Sequence, residues 1–338
     1  MRILITRTDR IGDVMLSTPV IKAVRDKYPD AYIAFCVQPH AVEIVDKNPY
    51  LNDVIVYEKK GKHKNIFGII RFILKIRRKK FDLALILHPT NRMNLTCFLA
   101  GIPRRVGFDR KLGFLLTDKI PHTKQKGQKH EMEYTLDVAR RLGIEPEDKR
   151  LYMSLHKDTE KEVKKIFASN GINENSKIIA IHPGASCLSK RWPSEYFSEL
   201  IDKLDKKYGA RIVILGGKED IDNAKVIKDA IKSKVLDLTG KTSVSLLAGV
   251  LSKSIFFISN DSGPVHIAVS VGTPVITIFG RKNPGLSPKR WGPLGRADIV
   301  LHKDVGCKAC LASNCKRYFA CLKAISVDDV MEAAGRLT

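Results

Sequence analysis

This sequence lacks long apolar runs and is poor in acidic residues. None of its 338 residues lies in an uninterrupted apolar stretch approaching the roughly 18 residues of a membrane-spanning helix. The apolar run at the N-terminus is too short for a signal-peptide core, and Arg7, Asp9 and Arg10 interrupt it. We therefore expect a cytoplasmic globular protein.

Two nucleotide-binding motifs are also missing. The chain contains no G-x-G-x-x-G dinucleotide fingerprint and no G-x-x-x-x-G-K-[ST] phosphate loop. Nicotinamide oxidoreductases and P-loop kinases are thereby disfavoured.

The seven cysteines, in a chain without an export signal, favour a reducing compartment over a disulfide scaffold. Cys307, Cys310, Cys315 and Cys321 lie within fifteen residues, near enough to bind zinc or an iron–sulfur cluster. Their spacing lacks the second C-x2-C pair typical of zinc sites. We therefore favour reduced, partly buried thiols and predict neither a metal nor a cofactor.

Basic residues are abundant instead. The chain has 59 Lys and Arg against 36 Asp and Glu, a net charge of +23. The window Lys59–Lys129 holds 19 basic residues and three acidic ones, or +16 of that total. Such an excess predicts an anionic partner: nucleic acid, a membrane face or a phosphorylated substrate.

Short β-branched runs alternate with amphipathic stretches along the whole chain, in two series. Strands are predicted at Arg2–Thr6, Tyr32–Val37, Val54–Tyr57 and Leu83–Leu87, and then at Ile178–His182, Ile212–Leu215, Val235–Leu238, Phe256–Ser259 and Val275–Phe279. This alternation predicts parallel α/β sheets in two doubly wound domains, residues 1–155 and 156–338. Ligands bind beyond the carboxyl ends of such strands, so the strand-to-helix turns are candidate sites.

The first of these turns contains Gly12 and Asp13. Asp13 has two equal interpretations from its spacing alone: a helix N-cap, or a carboxylate that takes a proton from an attacking hydroxyl. A helix N-terminus would keep the carboxylate ionised and make it a weaker base.

Two later turns predict an anion site. After Ile178–His182 come small residues including Ser186, which let the backbone approach a ligand, and then Lys190 and Arg191. These two cations either neutralise phosphate oxygens or belong to a basic loop anchored by Trp192 in the core. After Phe256–Ser259 comes a helix start suited to a diphosphate, whose candidate residues are Asp261, Ser262, Gly263 and His266.

Together these segments resemble the lipopolysaccharide heptosyltransferase family, glycosyltransferase family 9. The resemblance rests on Asp9-Arg10-Ile11-Gly12-Asp13-Val14, on His182-Pro183-Gly184-Ala185 with Lys190-Arg191-Trp192-Pro193, and on Asn260-Asp261-Ser262-Gly263-Pro264-Val265-His266. It implies a GT-B fold, two Rossmann-like domains facing across a cleft. The N-terminal domain would be the acceptor side and the C-terminal domain would bind the nucleotide sugar.

The activity implied is inverting, metal-independent transfer of a heptose from ADP-L-glycero-β-D-manno-heptose to the inner core of lipopolysaccharide, a Kdo-lipid A type acceptor. Asp13 would be the general base. The donor residues would be Ser186, Lys190, Asp261, Ser262, Gly263 and His266.

The basic window then has a candidate role in docking on an anionic inner membrane face and holding the acceptor. Its predicted acceptor residues are Arg10, Arg77, Arg78, Lys79 and Lys80. Two alternatives remain: a family member using another nucleotide sugar, such as N-acetylglucosamine, and a nucleic-acid-binding protein. The second lacks any recognisable nucleic-acid motif and leaves the three turns without a purpose, so we predict no nucleic-acid partner.

Overall fold

The computed structural model describes residues 1–338, which divide into two compact units, Met1–Ser154 and Leu155–Thr338. Each unit contains one six-stranded sheet in which every pair of neighbouring strands is parallel. The predicted α/β class is therefore confirmed.

The N-terminal unit alternates strands and helices throughout. Its strands are β1 (Arg2–Thr6), β2 (Tyr32–Val37), β3 (Asp53–Val56), β4 (Leu83–Ile86), β5 (Arg104–Asp109) and β6 (Asp118–Pro121). Its helices are α1 (Ile11–Met15), α2 (Thr18–Lys27), α3 (Val42–Val45), α4 (Ile66–Arg78), α5 (Asn91–Leu99) and α6 (Glu131–Arg140), with 3-10 turns at Pro39–Ala41, Gly113–Leu115 and Lys124–Lys126.

The C-terminal unit repeats the plan. Its strands are β7 (Ile178–His182), β8 (Arg211–Ile214), β9 (Val235–Asp237), β10 (Phe256–Asn260), β11 (Val275–Phe279) and β12 (Ile299–His302). Its helices are α7 (Lys157–Ser169), α8 (Ser194–Tyr208), α9 (Ile221–Ala230), α10 (Val244–Leu251), α11 (Gly263–Ser270), α12 (Pro288–Trp291), α13 (Ala320–Lys323) and α14 (Val327–Gly335). Its 3-10 turns are Leu188–Lys190, Lys218–Asp220, Pro284–Leu286 and Ala312–Asn314.

Both sheets have the same strand order. The first runs β3-β2-β1-β4-β5-β6, and the second runs β12-β11-β10-β7-β8-β9, which is the same order read from the other edge. This is the doubly wound arrangement in which the first and fourth strands of each unit are central neighbours, and the crevice for ligands opens where the order reverses. The turns after β1, β4, β7 and β10 therefore lie at these switch points.

Apolar strands explain why the sheets are buried on both faces. In the N-terminal unit, Leu4 and Ala84 of the central strands pack with Phe72 and Ile76 of α4 in one core cluster. Successive strand side chains point to opposite faces, so Ile3 turns toward the other helical layer. All five of these side chains are essentially inaccessible to solvent.

The structure differs from the sequence prediction where charge or proline interrupts a pattern. The amphipathic pattern of residues 13–27 predicts one helix, but the structure has two, and the second, α2, begins at Thr18 with Pro19, which lacks an amide hydrogen, in its first turn. The strands β5, β6 and β12, which lie at or next to a sheet edge, were not predicted. Strands β5 and β6 contain charged residues and so lack the continuous apolar signal of central strands, and β12 is a partly exposed strand of only four residues.

No helix is both long enough and apolar enough to cross a bilayer.

Candidate active site

A buried arginine lies at the carboxyl end of β1. Arg7 directly follows that strand, and its side chain is only 1% exposed. An uncompensated charge at such a site would be costly, so its guanidinium must be paired. Arg7 Nε donates to Asp9 Oδ1 at 2.8 Å, and Nη2 donates to Asp13 Oδ1 at 2.6 Å and to Glu131 Oε1 at 3.1 Å.

A lysine completes this group of charges. Lys124, which is almost fully buried, donates to Glu131 Oε1 at 2.8 Å, and its Nζ lies 4.5 Å from the ring centroid of Phe108. The group thus contains two cations and three carboxylates, all from turns and helix starts beside the central strands. We call Arg7, Asp9, Asp13, Lys124 and Glu131 the Arg7 network.

The network changes the acidity of Asp13. Burial and the nearby Asp9 and Glu131 carboxylates raise the pKa of Asp13, and the Arg7 guanidinium opposes them. The pKa of the neighbouring His88 is lowered to about 4 by partial desolvation and by the charges of Arg7 and Lys124. His88 is therefore neutral at pH 7, and its 3.4 Å contact with Asp9 is not an ion pair there.

The sequence predicted that a helix N-terminus would lower the pKa of Asp13, but the pKa is raised. Helix α1 has only five residues, and Asp13 is its third. No side chain caps the helix, so Asp13 is not the N-cap; that position belongs to the exposed Arg10. Desolvation and neighbouring carboxylates raise the Asp13 pKa instead, which makes the side chain a stronger base.

A second charged cluster follows β10 in the C-terminal unit. Asp261 Oδ2 accepts from Lys190 Nζ at 2.9 Å and from Arg281 Nη2 at 2.8 Å. Lys190 also donates to the Asp261 backbone oxygen at 3.2 Å. The aspartate is therefore buried between two cations.

Burial and the charge of Arg281 lower the pKa of Lys190, and Asp261 opposes this change. Both cations come from loops that follow strands of the same sheet, Lys190 after β7 and Arg281 after β11. Helix α11 begins at Gly263 between these strands in the chain, with Ser262 as its N-cap residue. Its first amides, together with the cations, make a place suited to a diphosphate.

The remaining predicted donor residues differ in position. Ser262 is half-buried, its Oγ 2.9 Å from Ser259 Oγ and 3.4 Å from Nδ1 of His182. His266 is buried one turn into α11. Ser186 lies on the exposed part of the loop after β7.

A histidine–aspartate pair stands beside this cluster and was not predicted. His182 Nε2 lies 3.6 Å from Asp220 Oδ2, and the Gly217 amide donates to the same oxygen at 3.0 Å. Burial would raise the pKa of Asp220, but His182 and the Gly217 amide hold it below its usual value. The close approach requires glycine at position 184, because a Cβ there would be 2.3 Å from the Asp220 carboxylate.

The loop that bears Lys190 is anchored by its neighbour Trp192. This indole is fully buried, and its Nε1 donates to the Ile325 backbone oxygen at 2.9 Å. The Trp192 amide donates to Asn260 Oδ1 at 3.0 Å, and Asn260 in turn donates to the Pro183 backbone oxygen at 2.8 Å. The two alternatives for this loop are therefore compatible: Trp192 fills the core and thereby fixes Lys190.

The basic run at the end of α4 lies elsewhere. Lys79 donates to Asp53 Oδ2 at 2.7 Å, and its backbone oxygen accepts from Arg2 Nε at 2.6 Å. Arg2 and Asp53 are the first residues of their strands, so this run occupies the amino edge of the sheet. The structure therefore does not bring Arg77, Arg78, Lys79 and Lys80 together with Asp13, which lies at the carboxyl edge.

The four clustered cysteines line one cavity of about 300 Å³ in the C-terminal unit, together with Arg281 and His302. All four are half-buried free thiols. No group of three or more His, Cys, Asp or Glu side chains is placed to hold a metal ion. Cys321 instead donates to the Gly280 backbone oxygen at 2.7 Å.

Comparison with known proteins identifies the family. The model of glycosyltransferase family 9 (heptosyltransferase) matches residues 69–319, most of the chain. This chain belongs to glycosyltransferase family 9. It is 28% identical over 281 residues to lipopolysaccharide heptosyltransferase 3 of Escherichia coli K12, covering 80% of this chain and 79% of that protein.

Solved structures of this heptosyltransferase family share the fold along the whole chain. A family 9 glycosyltransferase from Veillonella parvula superposes with a TM-score of 0.89 at 25% identity, covering 99% of this chain and 96% of that one. The E. coli heptosyltransferase WaaC with ADP-2-deoxy-2-fluoro heptose gives 0.74 at 20% identity, with both chains fully covered. The predicted family and GT-B fold class are confirmed; the roles of the individual residues stay predictions.

Proposed function

We propose that this family 9 glycosyltransferase transfers a heptose from ADP-L-glycero-β-D-manno-heptose to the inner core of lipopolysaccharide, with inversion and without a metal ion. The observation that carries the proposal is the Arg7 network, which holds Asp13 half-buried at the carboxyl end of β1 with a raised pKa. A general base works best when its pKa approaches the working pH. The donor and acceptor are inferred from the family and from the names of the relatives.

The proposed reaction begins with proton removal. Asp13 takes the proton of an acceptor hydroxyl, and the oxygen attacks the anomeric carbon of the donor from the face opposite the ADP. The new glycosidic bond forms as the bond from the anomeric carbon to the phosphate oxygen breaks. The electron pair leaves with the ADP, and the anomeric configuration inverts.

The leaving diphosphate gains negative charge as that bond breaks. Lys190 and Arg281 supply positive charge, and the first amides of α11 supply hydrogen-bond donors. Ser262 and Gly263 contribute this helix start, and we assign Ser186 and His266 to the same donor site. Asp261 is a positioning residue, because its carboxylate holds both cations in place.

On the acceptor side we retain Arg10, which is exposed beside Asp13 in the chain. We do not assign the run at the end of α4 to the reaction site, because it lies at the opposite edge of the sheet. Phosphates of the acceptor would instead bind cations at the carboxyl edge of the N-terminal sheet, where Arg10 lies.

The test compares Asp13→Asn with the parent enzyme. We expect transfer to fall by about 100-fold or more, the usual contribution of a general base. The affinity for ADP, measured by calorimetry, should stay within about twofold of the parent's, because the proposed donor residues lie in the other unit. Asp46→Asn, an exposed aspartate of the same unit, is the control. Undiminished transfer by Asp13→Asn would remove Asp13 as the base.

The donor is tested separately by thermal shift with ADP-heptose, UDP-GlcNAc, GDP-mannose and ADP. We expect ADP-heptose to stabilise the protein most, because at equal concentration the ligand that binds the native state most tightly raises its stability most. Greater stabilisation by UDP-GlcNAc or GDP-mannose would show that this other nucleotide sugar is the donor. It would not contradict the assignment of the protein as a glycosyltransferase.

A further inference from the structure

One helical layer of the N-terminal unit exposes an unusual amount of apolar surface. Helices α4 and α5 both pack on the same face of the sheet and contact each other. Their outer surface carries eight exposed large apolar side chains if the adjoining turn Gly113–Leu115 is included. We call these the α4–α5 face: Ile66, Phe67, Ile70, Leu74, Leu95, Phe98, Leu99 and Phe114.

Helix α4 carries more apolar side chains than its packing on the sheet requires. Helix α4 buries Phe72, Ile73 and Ile76 against the sheet, so its inward side is already apolar. Phe67 on the outward side is nevertheless 75% exposed, and Ile66 is 62% exposed. An apolar stripe in addition to the core-facing one marks an interaction surface, since soluble proteins rarely expose contiguous apolar patches.

Cations border the apolar stripe, and carboxylates are absent from both helices. Ile66, Ile70 and Leu74 recur every four residues and so form one line along α4, while Arg71 and Lys75 form the adjacent line. Both cations are exposed. Neither α4 nor α5 contains an Asp or Glu.

We propose that the α4–α5 face docks on an anionic lipid bilayer. Apolar side chains beside a row of Lys and Arg suit the boundary between headgroups and acyl chains, where the cations meet lipid phosphates. The protein binds there as a peripheral protein. The inference concerns membrane attachment alone and does not depend on which donor or base the enzyme uses.

Two other occupants fit the face less well. A second copy of the chain would bring the same cations against one another, because a two-fold interface pairs a surface with itself. Single-stranded nucleic acid stacks its bases on aromatic rings, whereas five of the eight apolar side chains of this face are aliphatic, including the whole line Ile66, Ile70 and Leu74.

The test is co-sedimentation of the full chain with vesicles of phosphatidylglycerol and phosphatidylethanolamine, and with vesicles of phosphatidylcholine. We expect binding to the anionic vesicles only. Phe67→Ser/Ile70→Ser should weaken it by about tenfold through lost apolar insertion, and Arg71→Glu/Lys75→Glu by at least about tenfold through lost charge attraction.

Two matched variants of the C-terminal unit serve as controls. Ile221→Ser/Val226→Ser removes exposed apolar side chains of α9, and Lys161→Glu/Lys165→Glu reverses charges at the same spacing on α7. Both should bind vesicles like the parent protein. All variants should keep the parent melting temperature and should transfer sugar normally to a deacylated, water-soluble acceptor, which separates docking from catalysis.

Equal vesicle binding by the parent and both patch variants would overturn the proposal. So would equal losses in the control variants, which would show attraction by net charge alone. Self-association abolished by Phe67→Ser/Ile70→Ser, without vesicle binding by the parent, would make the face an interface between copies and would also overturn it.

Discussion

The guanidinium of Arg7 donates to the carboxylate of Asp13, Nη2 to Oδ1, at 2.6 Å. The same nitrogen also donates to Glu131, which lies 124 positions after Arg7 in the chain. Asp13 is thereby fixed in orientation. Its raised pKa shows that burial and the neighbouring carboxylates outweigh this one favourable partner.

Glu131→Gln should shift the pH dependence of transfer. The Glu131 charge raises the pKa of Asp13, so removing it lowers that pKa and lets the base lose its proton at lower pH. We therefore expect the acid limb of the kcat profile to move to lower pH. A profile that keeps its acid limb, or moves it to higher pH, would contradict the assignment.

The control is Glu133→Gln in the same helix, where the carboxylate pairs with Arg140 and Lys149 outside the Arg7 network. Its profile should be unchanged. Glu131→Gln should also reduce the free energy of unfolding by about 1–3 kcal/mol, since Arg7 and Lys124 lose a buried partner.

Asp261→Asn should make ADP binding more sensitive to pH. Asp261 opposes the lowering of the Lys190 pKa, so its neutralisation lowers that pKa further. Lys190 then loses its charge at a lower pH than in the parent enzyme. We expect ADP affinity, measured by calorimetry, to fall more steeply as pH rises than it does for the parent.

Asp328→Asn, which neutralises an exposed partner of Lys203, should reproduce the parent's pH dependence. If the ADP affinity of Asp261→Asn depends on pH as the parent's does, then Asp261 does not control the charge with which Lys190 binds the diphosphate.

Gly184→Ala should destabilise the C-terminal unit. The added Cβ would lie 2.3 Å from the Asp220 carboxylate, so either the loop after β7 or Asp220 must move. We expect a loss of about 1–3 kcal/mol in the free energy of unfolding, typical of overpacking. Thermal or urea unfolding measures it.

Gly335→Ala in the last turn of α14 is the matched control, because its Cβ would meet only the flexible end of Lys207 at 3.7 Å and Tyr208 at 4.0 Å. It should be neutral or slightly stabilising. Equal stability of Gly184→Ala and the parent would show that Asp220 has room to move away.

The central strands and the turns that follow them were predictable because their signals are local. Ile178–His182 and Val275–Phe279 are short apolar runs bounded by small or polar residues, and the structure has strands with these bounds. Asp13, Lys190 and Asp261 could be singled out because each follows such a strand. Strand Arg104–Asp109 could not be predicted, because charged, exposed residues at its two ends leave only a short apolar run.

The partners of the candidate site residues had no such local signal. Lys124 and Glu131 come from a turn and a helix start far along the chain, and nothing in their neighbours marks them as buried. Arg7 offered one clue, a cation directly after an apolar strand. Arg77 and Arg78 drew attention by charge alone, and the direction of α4 placed them at the other edge of the sheet.

The sequence by itself determined the two doubly wound domains, the family and the turns where chemistry is expected, because period and motif are properties of neighbouring residues. Only the tertiary structure decided that Asp13 shares Arg7 with Glu131, that Asp261 holds two cations, and that α4 has a second apolar side that faces outward. These relationships depend on which distant segments the sheet brings together, and burial then sets the cost of each charge. The basic residues thus include a few buried, paired cations such as Arg7 and Lys124, and the exposed Arg71 and Lys75 beside apolar side chains.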